Sequence, residues 1–146
     1  MELAYRAIST RERTVAEVRA FLERKELEAA SIDYALAELA EAGAVDDMRF
    51  ARLFVEAKRL IERWGKERIA RELNRRGITA ELIEAATADQ DRDGELQAAL
   101  ELLEEKVAPP QGDRERDKAW RMLVRKGYEP DLAYEAVRAR AGQSVG

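Results

Sequence analysis

The sequence predicts an all-α protein, and three observations carry that prediction. Apolar residues recur every three or four positions in one segment after another, the spacing that places them on one side of a helix. No stretch sustains the alternation of apolar and polar residues that would mark a half-buried strand. Across 146 residues there are only three Pro and eight Gly, against 38% charged side chains, a balance that suits helices with long solvated faces.

Taken in order, the first helix is expected from Glu2 to about Ser9, with Leu3, Ala7 and Ile8 as its apolar side. Thr14-Val15-Ala16-Glu17 reads as a capping box, in which a hydroxyl and a carboxylate each satisfy a backbone donor at a helix start. Val15, Val18, Phe21 and Leu22 form the stripe of that second helix. Ser31 is the expected cap of a third, with Ile32, Ala35, Leu36 and Leu39 inside and Gly43 at its end. Glycine at that place supplies the left-handed backbone that closes a helix, and Asp46 or Asp47 can accept hydrogen bonds from the free N–H groups of the next.

That next helix is expected to run to about Arg63, on a stripe of Phe50, Leu53, Phe54, Ala57, Ile61 and Trp64. Gly65 interrupts it. Ile69 and Leu73 mark a further helix closed by Gly77, and Thr79 caps a short one containing Leu82, Ile83 and Ala86. Residues 87–93 read as a polar connector. Leu96, Ala99, Leu100, Leu103 and Val107 form another stripe, stopped by Pro109-Pro110. Arg114 to Lys126 is expected to be helical up to Gly127, and Pro130 suits the first turn of a last helix containing Leu132, Ala133, Ala136 and Val137. The residues from Gly142 onward are expected to fray.

Three segments repeat. A shift of fifty places Ile69 on Ala119, Leu73 on Leu123, Arg76 on Lys126, Gly77 on Gly127, Ile78 on Tyr128 and Leu82 on Leu132. A shift of fifty-one brings in the first segment, with Val18 on Ile69, Leu22 on Leu73, Lys25 on Arg76 and Ile32 on Ile83, and with Glu26 where the other two have Gly. The expected organisation is three tandem three-helix repeats, residues 1–43, 44–88 and 89–146, forming an elongated, curved array in which each repeat buries its apolar face on the next.

The composition excludes much chemistry. With no Cys and no His there is no thiolate nucleophile, no imidazole base, no disulfide and no Cys/His metal site. The N-terminus lacks a signal-peptide pattern, and no apolar run approaches the roughly 18 residues that span a bilayer, so a cytoplasmic location is expected. The net charge of −4 conceals blocks: residues 1–48 carry 6 basic and 11 acidic side chains, 49–78 carry 10 and 4, 79–108 carry 2 and 9, and the remainder 8 and 6. A charged partner responds to such local fields more than to the total.

The basic block is patterned. With Ile69 and Leu73 inward, Arg68, Arg71 and Arg75 fall within about 60° of one another at roughly 100° per residue. The shift of fifty places Lys118, Arg121 and Arg125 on the same positions, and Lys66 and Arg76 meet Arg116 and Lys126. The first segment has Glu17, Ala20 and Arg24 there, so the basic face belongs to the second and third alone. Such a face suits phosphates or a carboxylate-rich protein surface. The plainer alternative is a wet helix face on which Arg serves as a helix former, offset by Glu67, Glu72 and Asp117. Few aromatics interleave these cations, which disfavours unaided base-stacking recognition of single strands.

Other constellations are weaker. Asp89, Asp91, Asp93 and Gly94 copy the start of an EF-hand loop, but the twelfth position is Leu100 where a bidentate Glu is needed, and a polar linker leading to a capped helix is the simpler reading. Trp64 and Trp120 read as aromatics near the starts of equivalent helices, filling space between repeats. Asp46 and Asp47, in the junction with Gly43 and Phe50, read as caps and not as paired catalytic carboxylates.

Two stretches, Gly43 to Ala51 and Ile69-Ala70-Arg71-Glu72-Leu73-Asn74-Arg75-Arg76-Gly77-Ile78, together with the third segment's Arg125-Lys126-Gly127-Tyr128, resemble the RecX family of recombination regulators. That resemblance spans nearly the whole chain. It implies a non-catalytic protein that binds the RecA recombinase filament on single-stranded DNA and restrains it; a monomer without cofactors, with weak contact to DNA, is the additional expectation. An independent DNA-binding helical module is the alternative reading.

Overall fold

The computed structural model describes residues 2–4 and 13–142. Among these residues it is helical throughout, without a strand. Residues 2–4 are helical; the rest of the expected first helix, and residues 143–146 of the expected frayed end, lie outside the described residues. Eight α-helices follow: α1 Val15–Arg24, α2 Ala29–Glu41, α3 Asp47–Ala57, α4 Lys66–Arg75, α5 Ala80–Thr87, α6 Arg92–Lys106, α7 Gly112–Lys126 and α8 Pro130–Gly142. A π-helical turn, Lys58–Glu62, extends α3.

By contact the chain forms two compact units. One comprises Met1–Phe54 and Glu72–Ala86, the other Val55–Arg71 and Thr87–Gly146. Unit one is built on Ala4, Val18, Leu22, Ile32, Ala35, Leu36, Leu39 and Val45. Unit two is built on residues of α6, α7 and α8, among them Leu102, Leu103, Leu123, Leu132 and Val137, together with Tyr128.

The helix ends explain why these segments fold as they do. Leu39, Leu73 and Leu123 each occupy the same place, four residues before a glycine with positive φ: Gly43 at 74°, Gly77 at 85° and Gly127 at 105°. In each case the residue after the glycine donates its N–H back to that leucine's carbonyl, Ala44 at 2.8 Å, Ile78 at 3.0 Å and Tyr128 at 3.1 Å. This is the Schellman closure, and it satisfies carbonyls that a helix end otherwise leaves open. At the end of α1, Glu26 adopts φ 59° in the place the alignment assigns to glycine.

Within each unit, a helix start docks on one of these closed ends. In unit one the Thr14 hydroxyl donates to the Arg76 carbonyl at 2.8 Å, and Ala16 lies so close to Gly77 that a Cβ there would come within 2.3 Å of the Ala16 Cβ. In unit two the Gly65 N–H donates to the Lys126 carbonyl at 2.8 Å and the Glu67 N–H to the Gly127 carbonyl at 3.0 Å. Thr14 and Gly65 are related by the shift of fifty-one, and Arg76 and Lys126 by the shift of fifty. The two units therefore contain the same joint made from different groups.

Several expectations are corrected. Helix α2 begins at Ala29, with Glu28 at its cap position and no side-chain hydrogen bond, so Ser31 is a helical residue and not the cap. The left-handed Glu26 turns the chain sharply enough for the helix to restart before a capping side chain is reached. In α3 the buried positions are Phe50, Ala51 and Val55, while Leu53 and Ile61 are 56% and 77% exposed. Two stripes at helical spacing overlap there, and the one using the small Ala51 faces the core; the wider π turn then carries Leu60 and Ile61 outward. The segment 87–93 is shorter as a connector than expected: Thr87 belongs to α5 and is fully buried, and Arg92 and Asp93 open α6. Trp120 stands in the middle of α7, whereas Trp64 precedes α4. Val107 lies just past α6 in extended backbone, its carbonyl gripped by the Arg140 guanidinium at 2.9 and 3.1 Å.

The close approach at Gly65 yields a prediction. A Cβ there would stand 2.6 Å from the Gly127 carbonyl carbon and 2.7 Å from the Tyr128 nitrogen, backbone atoms that cannot step aside. Gly65→Ala is expected to destabilise by about 2–3 kcal/mol, as overpacking against fixed atoms does. Gly43→Ala meets nothing within 4 Å and is expected to cost only about 1 kcal/mol for its left-handed backbone. Urea unfolding of the two variants measures the difference.

Candidate partner-binding surface

The ten cations singled out by the repeat separate by what already holds them. In unit one, Arg76 is committed. Its Nε and a terminal nitrogen donate to both Glu17 oxygens at 2.9 Å, and its guanidinium lies 4.5 Å from the centre of the Phe50 ring. Glu17 also accepts from the Thr14 N–H, completing the capping box, so the box is tied to the end of α4. Arg75 is exposed and pairs with Glu72 on its own helix.

In unit two, Arg68 is half-buried. It stacks over Trp64 at 4.1 Å and donates to the Arg125 carbonyl at 3.1 Å. Lys126 donates from Nζ to the Glu62 carbonyl at 3.0 Å, and Lys66, also half-buried, gives its backbone N–H to Glu95 at 2.6 Å. Arg116 pairs with Asp113, and Arg121 pairs with Asp117 at 2.5 Å. Arg71, Lys118 and Arg125 are exposed, and their side chains have no ion-pair partner among the described residues. Lys118, Arg121 and Arg125 lie at i, i+3 and i+7 along α7, on one side of it.

At the junction, the two aspartates divide the work. Asp46 accepts from the Arg49 N–H at 3.0 Å and caps α3, as its position suggested. Asp47 instead accepts from the Val15 N–H at 2.9 Å, capping the start of α1 from a distance. Burial pushes the Asp47 carboxyl above its ordinary range, with the Asp46 and Glu17 charges adding to the rise and the Val15 hydrogen bond opposing it. For Glu17 burial likewise acts upward, but hydrogen bonds from Arg76 and Thr14 and the Arg76 charge outweigh it, so its carboxyl lies below the ordinary 4.5. Sequence reasoning missed both tertiary contacts; the one clue was that Glu17 and Asp47 are cap residues whose carboxylates each carry a second acceptor oxygen.

Asp89 and Asp91 have other occupations. Arg59 donates to Asp89 at 2.9 Å and holds its carboxyl below the usual range, and Asp91 caps α6 by accepting from the Gly94 N–H at 2.9 Å. Among the described residues no group of three or more acids is placed to hold a metal ion. The Tyr128 hydroxyl, donating to the Arg63 carbonyl at 3.1 Å, is pushed up to about 12 by its burial. No helix among the described residues is long and apolar enough to cross a membrane.

A Schellman-closed helix end receiving a helix start thus occurs twice, at repeat spacing. Residues 46–86 match the family description "RecX, second three-helix domain", and residues 93–137 match "RecX, third three-helix domain". The chain belongs to the RecX family. Among curated relatives, the regulatory protein RecX of Mycolicibacterium vanbaalenii is 33% identical over 150 residues, covering 94% of this chain and 79% of that one. Its counterpart in Mycolicibacterium smegmatis is 34% identical over 139 residues, covering 90% and 74%. In fold, the chain is similar to the crystal structure of RecX from Lactobacillus salivarius, with a TM-score of 0.83 at 18% identity over 97% of this chain and 94% of that one. The family is named as regulatory, and the RecX relatives and their three-helix domains agree with the all-helical repeat reading.

The Glu17–Arg76 pair makes stability depend on pH. A carboxyl whose pKa is lower in the folded chain than in the unfolded one adds stability above the unfolded value, and that stability is lost as pH falls through the folded value. Asp47, shifted upward, works oppositely, costing stability as pH rises above its ordinary 3.8. Between roughly pH 5 and pH 3 the parent chain is therefore expected to lose stability more steeply than Glu17→Gln, which retains Asp47 but lacks the depressed carboxyl. Denaturant titrations at a series of pH values give the slopes, and parallel slopes would remove Glu17 from this role.

Proposed function

We propose that the protein acts by binding, without catalysis, on the RecA recombinase filament assembled on single-stranded DNA, and that it lowers recombinase activity: ATP hydrolysis, strand exchange and the SOS co-protease function. It works as a cytoplasmic monomer. Membership of a family named for regulation supports the coarse role. The partner is the one that the sequence's resemblance to the family implies.

The observation that supports a docking face is the division of the cations. Arg68, Arg76 and Lys126 are spent on backbone carbonyls, a carboxylate or aromatic rings. Arg71, Lys118 and Arg125 are exposed and carry no such contact, and Arg121 stands between the last two on α7. Side chains kept charged and unpaired in water suit a partner that supplies carboxylates or phosphates, and they act chiefly on the rate and specificity of association. Lys66, Arg75 and Arg116 serve as auxiliary contacts, with weak DNA phosphate contact alongside the protein one.

The test is a sedimentation assay with RecA on single-stranded DNA, paired with strand exchange. Lys118→Glu combined with Arg125→Glu is expected to weaken filament binding by about tenfold or more and to relieve inhibition in proportion, with helicity unchanged. Binding unaffected by the double reversal would remove this surface. Failure of the parent chain to bind the filament, with steeply salt-dependent binding to bare DNA in its place, would favour the stand-alone DNA-binding module.

A further inference from the structure

A second feature of unit two adjoins the cation stripe, with Arg116 and Asp117 at its edge. Asp113, Arg116, Asp117 and Trp120 stand at i, i+3, i+4 and i+7 on α7, and Tyr134, Val137, Arg138 and Ala141 repeat the same spacing on α8. These two stripes line an open groove of about 680 Å³. A run of seven residues on a helix is about 10 Å long, the length of about three residues of extended chain.

The groove is preorganised and amphipathic. Trp120 is fixed by donating its indole N–H to the Pro130 carbonyl at 3.0 Å, and Val137, only 3% exposed, belongs to the core beneath. Tyr134 is 60% exposed, a large aromatic surface kept in water. Tyr, Trp and Arg are the residues that most often dominate the energetics of protein contacts, and Tyr and Trp offer wide contact area with little entropy to lose.

Charge selects the occupant. Arg116 is neutralised by Asp113, and Asp117 by Arg121. Arg138 is exposed with no ion-pair partner among the described residues, so the uncompensated charge of the groove is one guanidinium. A continuous polyanion would have to run past Asp113, whose side chain is fully exposed, and Asp117. A peptide can place one carboxylate beside Arg138 and an apolar side chain beside the aromatics without carrying a negative charge at every step along the groove. We infer that this groove is a docking site for a short segment of a partner protein that carries a large apolar anchor next to an acidic residue, the anchor resting on Trp120 and Tyr134 and the acid meeting Arg138.

The probe is a blocked tetrapeptide with Leu-Phe flanked by two Glu, titrated into the full chain while the Trp120 indole N–H resonance is followed by NMR. Two matched peptides, one with Ala-Ala replacing the anchor and one with Lys replacing each Glu, and an oligothymidylate serve as comparators. The acidic anchored peptide is expected to shift the Trp120 resonance and to bind at least about tenfold more tightly than either matched peptide. Tyr134→Ala and Arg138→Glu, both at exposed positions, are each expected to weaken that binding by about tenfold with the melting temperature unchanged. Equal binding of the three peptides, no response of the Trp120 resonance, or a stronger response to oligothymidylate would overturn the inference.

Discussion

The constraint on which both compact units depend is that a helix closed by a left-handed residue leaves carbonyls pointing along its axis, and something must receive them. In unit two the receiver is the start of another helix, whose first N–H groups are equally unsatisfied, and in unit one it is the hydroxyl of Thr14, the residue that caps a helix start. Joining a start to an end pairs groups that water would otherwise have to solvate, and sets the positive end of one helix dipole against the negative end of another. Leu73 and Leu123, fully buried, sit one turn before those ends and anchor them in apolar surroundings, so packing and hydrogen bonding support the same geometry.

This arrangement divides the charged residues into two populations. Arginines near a joint are drawn into it: Arg76 onto Glu17 and Phe50, Arg68 onto Trp64 and the end of α7. They are too constrained to reach a partner, and their removal would be felt as lost packing as much as lost charge. Arg71 and Lys118, a turn or more further along their helices, escape that role, and so does the side chain of Arg125, of which only the carbonyl is engaged at the joint. A repeat thus generates basic residues at equivalent positions, but the joint decides which of them remain available. A face inferred from spacing alone overstates the available surface by including its own fasteners.

Much of the fold was legible because it is carried by short-range signals. The Thr14 capping box, the glycine ends and the stripes through Ile32 and Leu39, Ile69 and Leu73, and Leu132 and Val137 all depend on residues within a turn or two of one another. What was not legible depended on distance. Asp47 reads as a cap for its own helix, and only the tertiary structure reveals that it serves α1. The α3 stripe was misphased because Leu53 and Ile61 are as apolar as any core residue, and the choice between two overlapping stripes is made by what packs against the helix. The candidate surface was legible as a set of positions, and so was the helical spacing that pairs Arg116 and Arg121 with acids on the same helix, but the groove beside Tyr134 required knowing how α7 and α8 meet.

The two joints also differ in what a single codon can alter. In unit one the donor to the Arg76 carbonyl is the hydroxyl of Thr14, a side chain that one substitution deletes outright. In unit two the donor to the Lys126 carbonyl is the main-chain N–H of Gly65, present whatever residue is written there except proline, and protected by a fit that admits no side chain. Related sequences can therefore loosen or tighten the first joint by gradual change at one position. The second tolerates no such gradation, and its glycine is expected to be kept or the whole contact rebuilt.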